Sequence, residues 1–179
     1  MQQQIISRTP APDAAPPIAA GSSYAQSSDF CRVFHDEVTR LFSLALLLTG
    51  DRRVAESCFL EALGDCIANR FVFAQAASSW ARRAVIKRAI TAAGVTEVRD
   101  TDTKPSAPDL RPPFDLVAQL PALERFVFAM TVLERYRIRD CATLLGCASV
   151  DAEAARRRAL QHAGGRRDAQ YSQPRALTV

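Results

Sequence analysis

The stretch of this chain that most constrains its fold is residues 120–160, which reads as three successive helices. Leu120-Pro121 begins the first helix, because a proline in the first turn removes no intrahelical hydrogen bond. Two apolar stripes with helical spacing follow, and the second ends at Gly146, a residue type that adopts the left-handed conformation found at helix ends. Ser149 is placed to cap a third helix, which carries three consecutive arginines. This order predicts a helix-turn-helix, a motif that docks on DNA.

Composition favours an all-α protein that stays in the cytoplasm. The 179 residues are 48% apolar and 23% charged, and alternating strand patterns are scarce. The formal net charge of +4 is compatible with nucleic-acid binding without being diagnostic of it. No secretory signal is visible, and the most apolar segment, 44–50, is too short to cross a bilayer. We therefore expect no membrane contact.

The changes in composition and in apolar periodicity along the chain predict two small helical lobes joined by a proline-containing linker. In the first lobe, helices are predicted from Asp29 to Thr49, from Arg53 to Asn69 and from Ser78 to Ala93. Each lobe is small, so each is expected to have a modest core. The predicted segments are a disordered tail (1–27), the first helical domain (28–94), the linker (95–113), the helix-turn-helix domain (114–164) and a flexible tail (165–179).

Residues that could support catalysis or metal binding form no recognisable site. The five cysteines lie in predicted helices or at their turns, and Cys58, Cys66 and Cys141 fall on apolar faces. They are expected to be small buried residues, because no paired Cys or His spacing suited to zinc occurs. No glycine-rich phosphate loop, nucleophile elbow or carboxylate pair is present either. We expect no enzyme activity, no metal or cofactor, and no small-molecule substrate.

Both predicted lobes, in this order, carry residues of a known family. Leu48–Asp51 reads LTGD, Ala55-Glu56 follows it, and Glu61 lies further along the same predicted helix. The segment SSWARRAVIKRAI at 78–90 combines a tryptophan with a basic helix, and 116–163 holds the helix-turn-helix. In layout and in these scattered residues the chain resembles a bacterial RNA polymerase sigma factor of the sigma-70 family, extracytoplasmic-function type. The resemblance covers roughly 130 residues.

The resemblance implies a transcription initiation factor that binds the RNA polymerase core and promoter DNA. The first lobe would engage the −10 element, and the helix-turn-helix would engage the −35 element. The protein would separate the DNA strands and would catalyse no reaction. An anti-sigma partner is compatible with this role, although the sequence does not name one. The implied polymerase-binding residues are Glu56, Leu60 and Glu61, and the implied DNA-binding residues are Trp80, Arg82, Arg83, Lys87, Arg88, Arg139, Arg156, Arg157 and Arg158.

Several positions depart from the family pattern and keep a second hypothesis open. Ser57 and Leu60 stand where an Asp and a Gln are usual, Lys87 replaces an Asn, and Glu153 replaces a basic residue. These departures favour a diverged paralogue that regulates through protein contacts without opening promoters. A helical protein unrelated to transcription is the third alternative.

Each candidate site residue also has a purely structural interpretation. Trp80 suits a base-stacking platform or a core anchor, and Glu56 and Glu61 suit a polymerase contact or ordinary helix-surface charge. The three arginines at 156–158 suit DNA contact or a solvated helix. On the helical wheel Leu60 lies away from the apolar face, so we expect it to be exposed or covered by a partner.

Overall fold

The computed structural model describes residues 23–69, 71–94 and 114–171, and within them the fold is all-α, as predicted. An isolated bridge between Tyr24 and Phe73 is the one extended pairing in these ranges. The predicted linker 95–113 lies outside the described residues, as does most of the predicted N-terminal tail. The helices are α1 (Ser27–Asp36), α2 (Val38–Thr49), α3 (Arg52–Ala68), α4 (Ala77–Ala93), α5 (Phe114–Ala118), α6 (Ala122–Phe128), α7 (Ile138–Leu145) and α8 (Ser149–Tyr171), with a 3₁₀ turn at Ala74–Ala76 and a π-helical turn at Ala129–Leu133.

Helices α1 to α4 pack on one another and form what we call the N-terminal group. Small residues line the contacts, so the helix backbones approach closely, and larger apolar side chains fill the remaining space. The Phe34 and Phe59 rings meet edge to face with centroids 5.1 Å apart. Asp51 caps α3 by accepting a 2.9 Å hydrogen bond from the Val54 backbone N–H. Gly50, with φ of 71°, ends α2 at the predicted position.

The single helix predicted from Asp29 to Thr49 is wrong, because the chain bends at Glu37. The backbone hydrogen bonds nearly continue through the bend: the Glu37 N–H donates to Val33 O, and the Glu37 carbonyl accepts from Leu41 N–H, both at 2.9 Å. A hydrogen bond of 2.5 Å from Ser78 Oγ to Glu37 Oε1 ties the bend to α4. Local periodicity cannot encode a contact with a residue so distant in sequence.

Helices α5 to α8 form the C-terminal group, in which α8 packs against both α6 and α7. Pro121 precedes α6, as predicted, and α7 ends at Gly146, whose φ is 65°. Helix α5 was not predicted as a separate element. The core of this group combines large side chains of α6 and its π-helical extension with an alanine face on α8. Its buried residues include Phe126, Val127, Met130, Cys141, Leu145, Ala152, Ala155 and Ala159.

Helix α8 is longer than predicted. A flexible tail was expected from residue 165, because the last stretch of the chain is polar. Gly164 and Gly165 also each weaken helix formation by about 1 kcal/mol. The helix instead continues through both glycines to Tyr171. Packing of its first turns against α6 and α7 supplies the nucleus, after which each added residue costs little. Residues 172–179 lie outside the described residues.

The two groups share one continuous hydrophobic core, and α2 is the element that joins them. It packs against α3 and α4 on one side and against α5, α6 and the π-helical turn on the other. Leu41, Leu44 and Leu48 of α2 are buried in this shared core. The arrangement therefore brings surfaces of the N-terminal group against the loop that follows the π-helical turn.

Candidate nucleic-acid interface

The segment predicted as a helix-turn-helix comprises α7, a turn at Gly146 and α8. The Gly146 and Cys147 N–H groups both donate to the Ala142 carbonyl, which closes the end of α7. Cys141 and Leu145 of α7 are buried, and so is the alanine face of α8. Helix α8 is thereby held against α6 and α7, α7 also contacts the π-helical turn, and the opposite side of α8 is left to solvent.

The three consecutive arginines of α8 have different surroundings. Arg158 Nε donates a 2.6 Å hydrogen bond to Oε1 of Glu124, whose side chain is only 8% exposed. Arg156 lies 3.9 Å from Glu153, and its Nε is buried. Arg157 is exposed and has no ion-pair partner among the residues that the structure describes. Arg157 is therefore the arginine of this run that is most available to a phosphate or a base edge.

The basic residues of helix α4, like the arginines of α8, have different surroundings. Arg82 contacts Glu37 and Glu134, and Arg88 donates to both carboxylate oxygens of Asp65. The Arg88 guanidinium holds the pKa of Asp65 below its usual range through these hydrogen bonds.

An exposed stripe remains on α4, formed by Trp80, Arg83 and Lys87. These residues are three and four positions apart, so they lie on one face of the helix. Arg83 and Lys87 have no ion-pair partner within the described ranges. The Trp80 side chain is 37% exposed, which anchors it partly while leaving ring surface available for stacking. From the sequence alone, the four basic residues of α4 are spread around the helix. In the structure Arg83 and Lys87 lie on the exposed stripe, whereas Arg82 and Arg88 are paired with carboxylates.

The predicted polymerase-binding residues lie on the exposed side of α3. Leu60 is 65% exposed, as the helical wheel predicted. Glu56 pairs with Arg52 at 3.2 Å, and Glu61 accepts hydrogen bonds of 2.9 Å from both Ser57 and Arg88. This surface presents a large apolar side chain between two carboxylates whose charge is partly neutralised.

Arg139, the remaining predicted DNA-binding residue, is exposed in the first turn of α7. Arg135 and Arg137 precede it in the connecting loop and are exposed as well. These three side chains have no ion-pair partner in the described part of the chain. They lie between Glu134, which contacts the N-terminal group, and the body of α7, which packs against α8.

A cluster of four charged residues lies where the two groups meet, and sequence reasoning missed three of its members. Glu134, from the loop after the π-helical turn, receives Arg40 Nη2 at 3.3 Å and Arg82 Nε at 3.5 Å. Glu37 lies 3.9 Å from Arg40 and 3.8 Å from Arg82. Glu37 and Arg40 are three residues apart, but no local pattern identifies the cluster, because Arg82 and Glu134 are far away from that pair in sequence.

Arg125 forms a second contact between the groups and was also missed. Its residue is only 4% exposed, and it donates hydrogen bonds of 3.1 Å to the carbonyls of Leu48 and Ala118. Burial lowers the pKa of this guanidinium, because charge is costly away from water.

The described residues offer little support for a metal site or a membrane span. No group of three or more His, Cys, Asp or Glu side chains there could hold a metal ion. Cys58, Cys66 and Cys141 are buried, as the apolar faces predicted, and burial raises the pKa of each thiol. The expectation that all five cysteines are buried is wrong for Cys31, which is exposed, and for Cys147, which is half-buried. Among the described helices, none combines the length and the apolar content that a membrane span requires.

Compared with known proteins, the chain matches no protein-family model and no curated sequence.

Proposed function

We propose that this chain is a sigma-like transcription initiation factor that binds the RNA polymerase core and promoter DNA. The observation that carries the proposal is the helix-turn-helix of α7 and α8, with Arg157 exposed and unpaired among the described residues. Helices presented in this way enter the major groove, where a guanidinium bonds to phosphate or to a guanine edge. In this role the C-terminal group contacts the −35 duplex.

The N-terminal group supplies a second nucleic-acid surface in this proposal. The stripe of Trp80, Arg83 and Lys87 combines an aromatic ring with two cations that lack carboxylate partners in the described chain. Such a combination suits a single strand, whose bases stack on rings while its phosphates meet the cations. We assign this stripe to the unwound −10 region.

The exposed side of α3 is the proposed polymerase contact. Leu60 supplies apolar area, and Glu56 and Glu61 supply negative charge at its edges. Exposed large apolar side chains with a polar rim are typical of protein interfaces. Among the residues that the resemblance suggests, this set is the one suited to a protein partner rather than to DNA.

A diverged regulator that binds protein without opening promoters is the second candidate. Three observations favour it, the first two being that Arg82 and Arg88 are engaged by carboxylates and that Leu60 replaces the Gln of the family pattern. Glu153 also places a negative charge in the first turns of α8, near the expected phosphates.

A pull-down with immobilised core polymerase tests the proposal. Wild type should be retained in stoichiometric amounts, and Leu60→Gln should be retained less, because it removes the apolar area of the proposed contact. Leu160→Gln is the matched control, since Leu160 is also exposed but lies on α8; it should not alter retention. Absence of retention contradicts the proposal. Retention without transcription in a run-off assay favours the regulator.

A further inference from the structure

The Glu134 carboxylate occupies a site built by two arginines of the other helical group. Its side chain is 6% exposed, and Arg40 Nη2 lies 3.3 Å from each of its oxygens. Arg82 Nε approaches Oε2 at 3.5 Å. Arg40 comes from α2 and Arg82 from α4, so two helices of the N-terminal group converge on one anion from the C-terminal group.

The backbone around Glu134 is held in an uncommon conformation. The Glu134 N–H donates to Ala129 O at 3.0 Å and closes the π-helical turn. Arg135, the next residue, has φ of 57°, a left-handed conformation that costs a residue with a Cβ atom about 1 kcal/mol. Tyr136 N–H then donates to Met130 O at 2.8 Å. π-Helical turns and left-handed residues of this kind often occur at functional sites.

The charges of this cluster balance only while Glu134 is in place. Arg40 and Arg82 contribute two positive charges, and Glu37 and Glu134 contribute two negative charges. Glu37 belongs to the N-terminal group and stays beside both arginines if the groups separate. Loss of Glu134 alone therefore leaves one uncompensated guanidinium charge.

We infer that Arg40 and Arg82 form a binding site for a nucleic-acid backbone phosphate, which Glu134 occupies when the two groups are packed together. Guanidinium groups bind carboxylates and phosphates through the same hydrogen-bonding geometry. Arg40 thereby becomes a nucleic-acid contact on α2, outside the α4 stripe. The inference rests on the proposed function in one respect, that the chain binds DNA.

Phosphate and Glu134 cannot occupy the site together, so DNA binding and separation of the groups are coupled. Each event makes the other more favourable by the same factor, as linkage requires. Separation must also break the contact from Arg125 to the Leu48 carbonyl and uncover the apolar contacts that α2 makes with α5 and α6. The packed arrangement therefore lowers the affinity for DNA. A substitution that weakens the ion pairs of Glu134 raises that affinity.

Fluorescence anisotropy with a labelled 20-nucleotide single strand, and with a duplex of the same length, tests this inference on the full chain. Glu134→Gln should bind about tenfold more tightly than wild type, the range expected for one charge-assisted contact. Asp29→Asn is the matched control, because it removes one carboxylate from another arginine pair, Arg32–Asp29, which lies within α1, whereas the proposed DNA-binding residues lie on other helices. It should change the affinity less than twofold. A gain with the single strand alone assigns the site to unwound DNA, and a gain with both probes assigns it to either form.

Arg40→Gln provides a second test, made on the arginine side of the ion pair. Arg40 is half-exposed, so its loss should not unfold the chain. In the Glu134→Gln background it should abolish the gain in affinity. It should also lower the slope of log affinity against log salt by about one. Equal affinities of Glu134→Gln and Asp29→Asn, or an unchanged salt slope with Arg40→Gln, would overturn the inference.

Failure of this inference is distinguishable from failure of the proposed function. A chain that shows the Glu134→Gln gain but does not bind core polymerase supports the phosphate site and contradicts the sigma-like role. A chain that binds core polymerase and initiates transcription, with no difference between Glu134→Gln and Asp29→Asn, does the reverse.

Discussion

Arg125 Nε lies 3.1 Å from the carbonyl oxygen of Leu48, so a buried cation of one helical group caps the C-terminal end of a helix in the other. The last carbonyls of a helix lack intrahelical donors and carry partial negative charge. Arg125 satisfies one of them and also donates to Ala118 O at 3.1 Å. The interface between the two groups therefore contains polar as well as apolar contacts.

Replacing Arg125 by Ala should destabilise the folded chain by about 3 kcal/mol, because it leaves a cavity and two buried carbonyls without their donor. Chemical denaturation in urea, monitored by circular dichroism, measures the change in the free energy of unfolding. Arg32→Ala is the control, since Arg32 makes only an exposed ion pair; it should cost less than about 0.5 kcal/mol. Equal effects of the two substitutions would mean that Arg125 does not stabilise the interface between the two groups.

Arg157 and Arg158 are neighbours of the same type, yet their loss should affect different properties. Arg158→Ala leaves the buried Glu124 carboxylate without its 2.6 Å partner and should lower the free energy of unfolding by about 2 kcal/mol. Arg157→Ala should leave stability unchanged and lower the salt slope of duplex binding by about one. Denaturation and anisotropy titrations on both variants separate the two effects. An unchanged salt slope with Arg157→Ala would contradict the assignment of α8 to DNA.

The buried thiols make stability fall at alkaline pH. Burial, reinforced by Asp65, raises the pKa of Cys66 from 9.0 to about 12, and burial with Asp140 raises the pKa of Cys141 to about 11. The unfolded chain therefore loses these protons at lower pH than the folded chain, so the stabilisation is complete below pH 9 and declines above it.

Each such thiol should lower the free energy of unfolding by up to about 1.4 kcal/mol per pH unit above 9. Urea denaturation at pH 8 and pH 10.5 measures this decline. Cys66→Ala should reduce it, whereas Cys31→Ala should not, because Cys31 is exposed. A decline that is the same in all three proteins would show that Cys66 is not the cause.

Arg135 adopts a left-handed backbone, so glycine should be accepted there more easily than elsewhere in the same loop. Arg135→Gly should raise the free energy of unfolding by up to about 1 kcal/mol, because it relieves the Cβ clash. Arg137→Gly removes the same side chain at an ordinary φ of −72° and should give no stabilisation. Thermal denaturation of the two variants compares them directly, and a higher Tm for Arg137→Gly would contradict the strain at Arg135.

Helix content and the turns of this fold follow from local chemistry, which is why they were predictable. Gly50 and Gly146 end helices because they adopt positive φ, and the alanine face of α8 follows from its helical spacing. The exposure of Leu60 follows from the same periodicity. The bend at Glu37 and the continuation of α8 through Gly164-Gly165 depend on packing between distant elements, so periodicity missed them.

The candidate site was only partly predictable for a related reason. A basic residue is recognisable in the sequence, but whether it is available depends on carboxylates that the fold brings to it. Arg83, Lys87 and Arg157 lack such partners in the described chain, whereas Arg82 and Arg158 have them. The partner of Arg158 comes from α6 and one partner of Arg82 from the loop after the π-helical turn. Only the three-dimensional arrangement separates these two classes.

Run-off transcription from a library of genomic fragments, with core polymerase and with or without this chain, tests the sigma-like role most directly. We predict transcripts that require the chain and whose start sites lie downstream of a shared pair of promoter elements, with lower yield for Arg157→Ala. The same transcripts in the presence and absence of the chain would contradict the account.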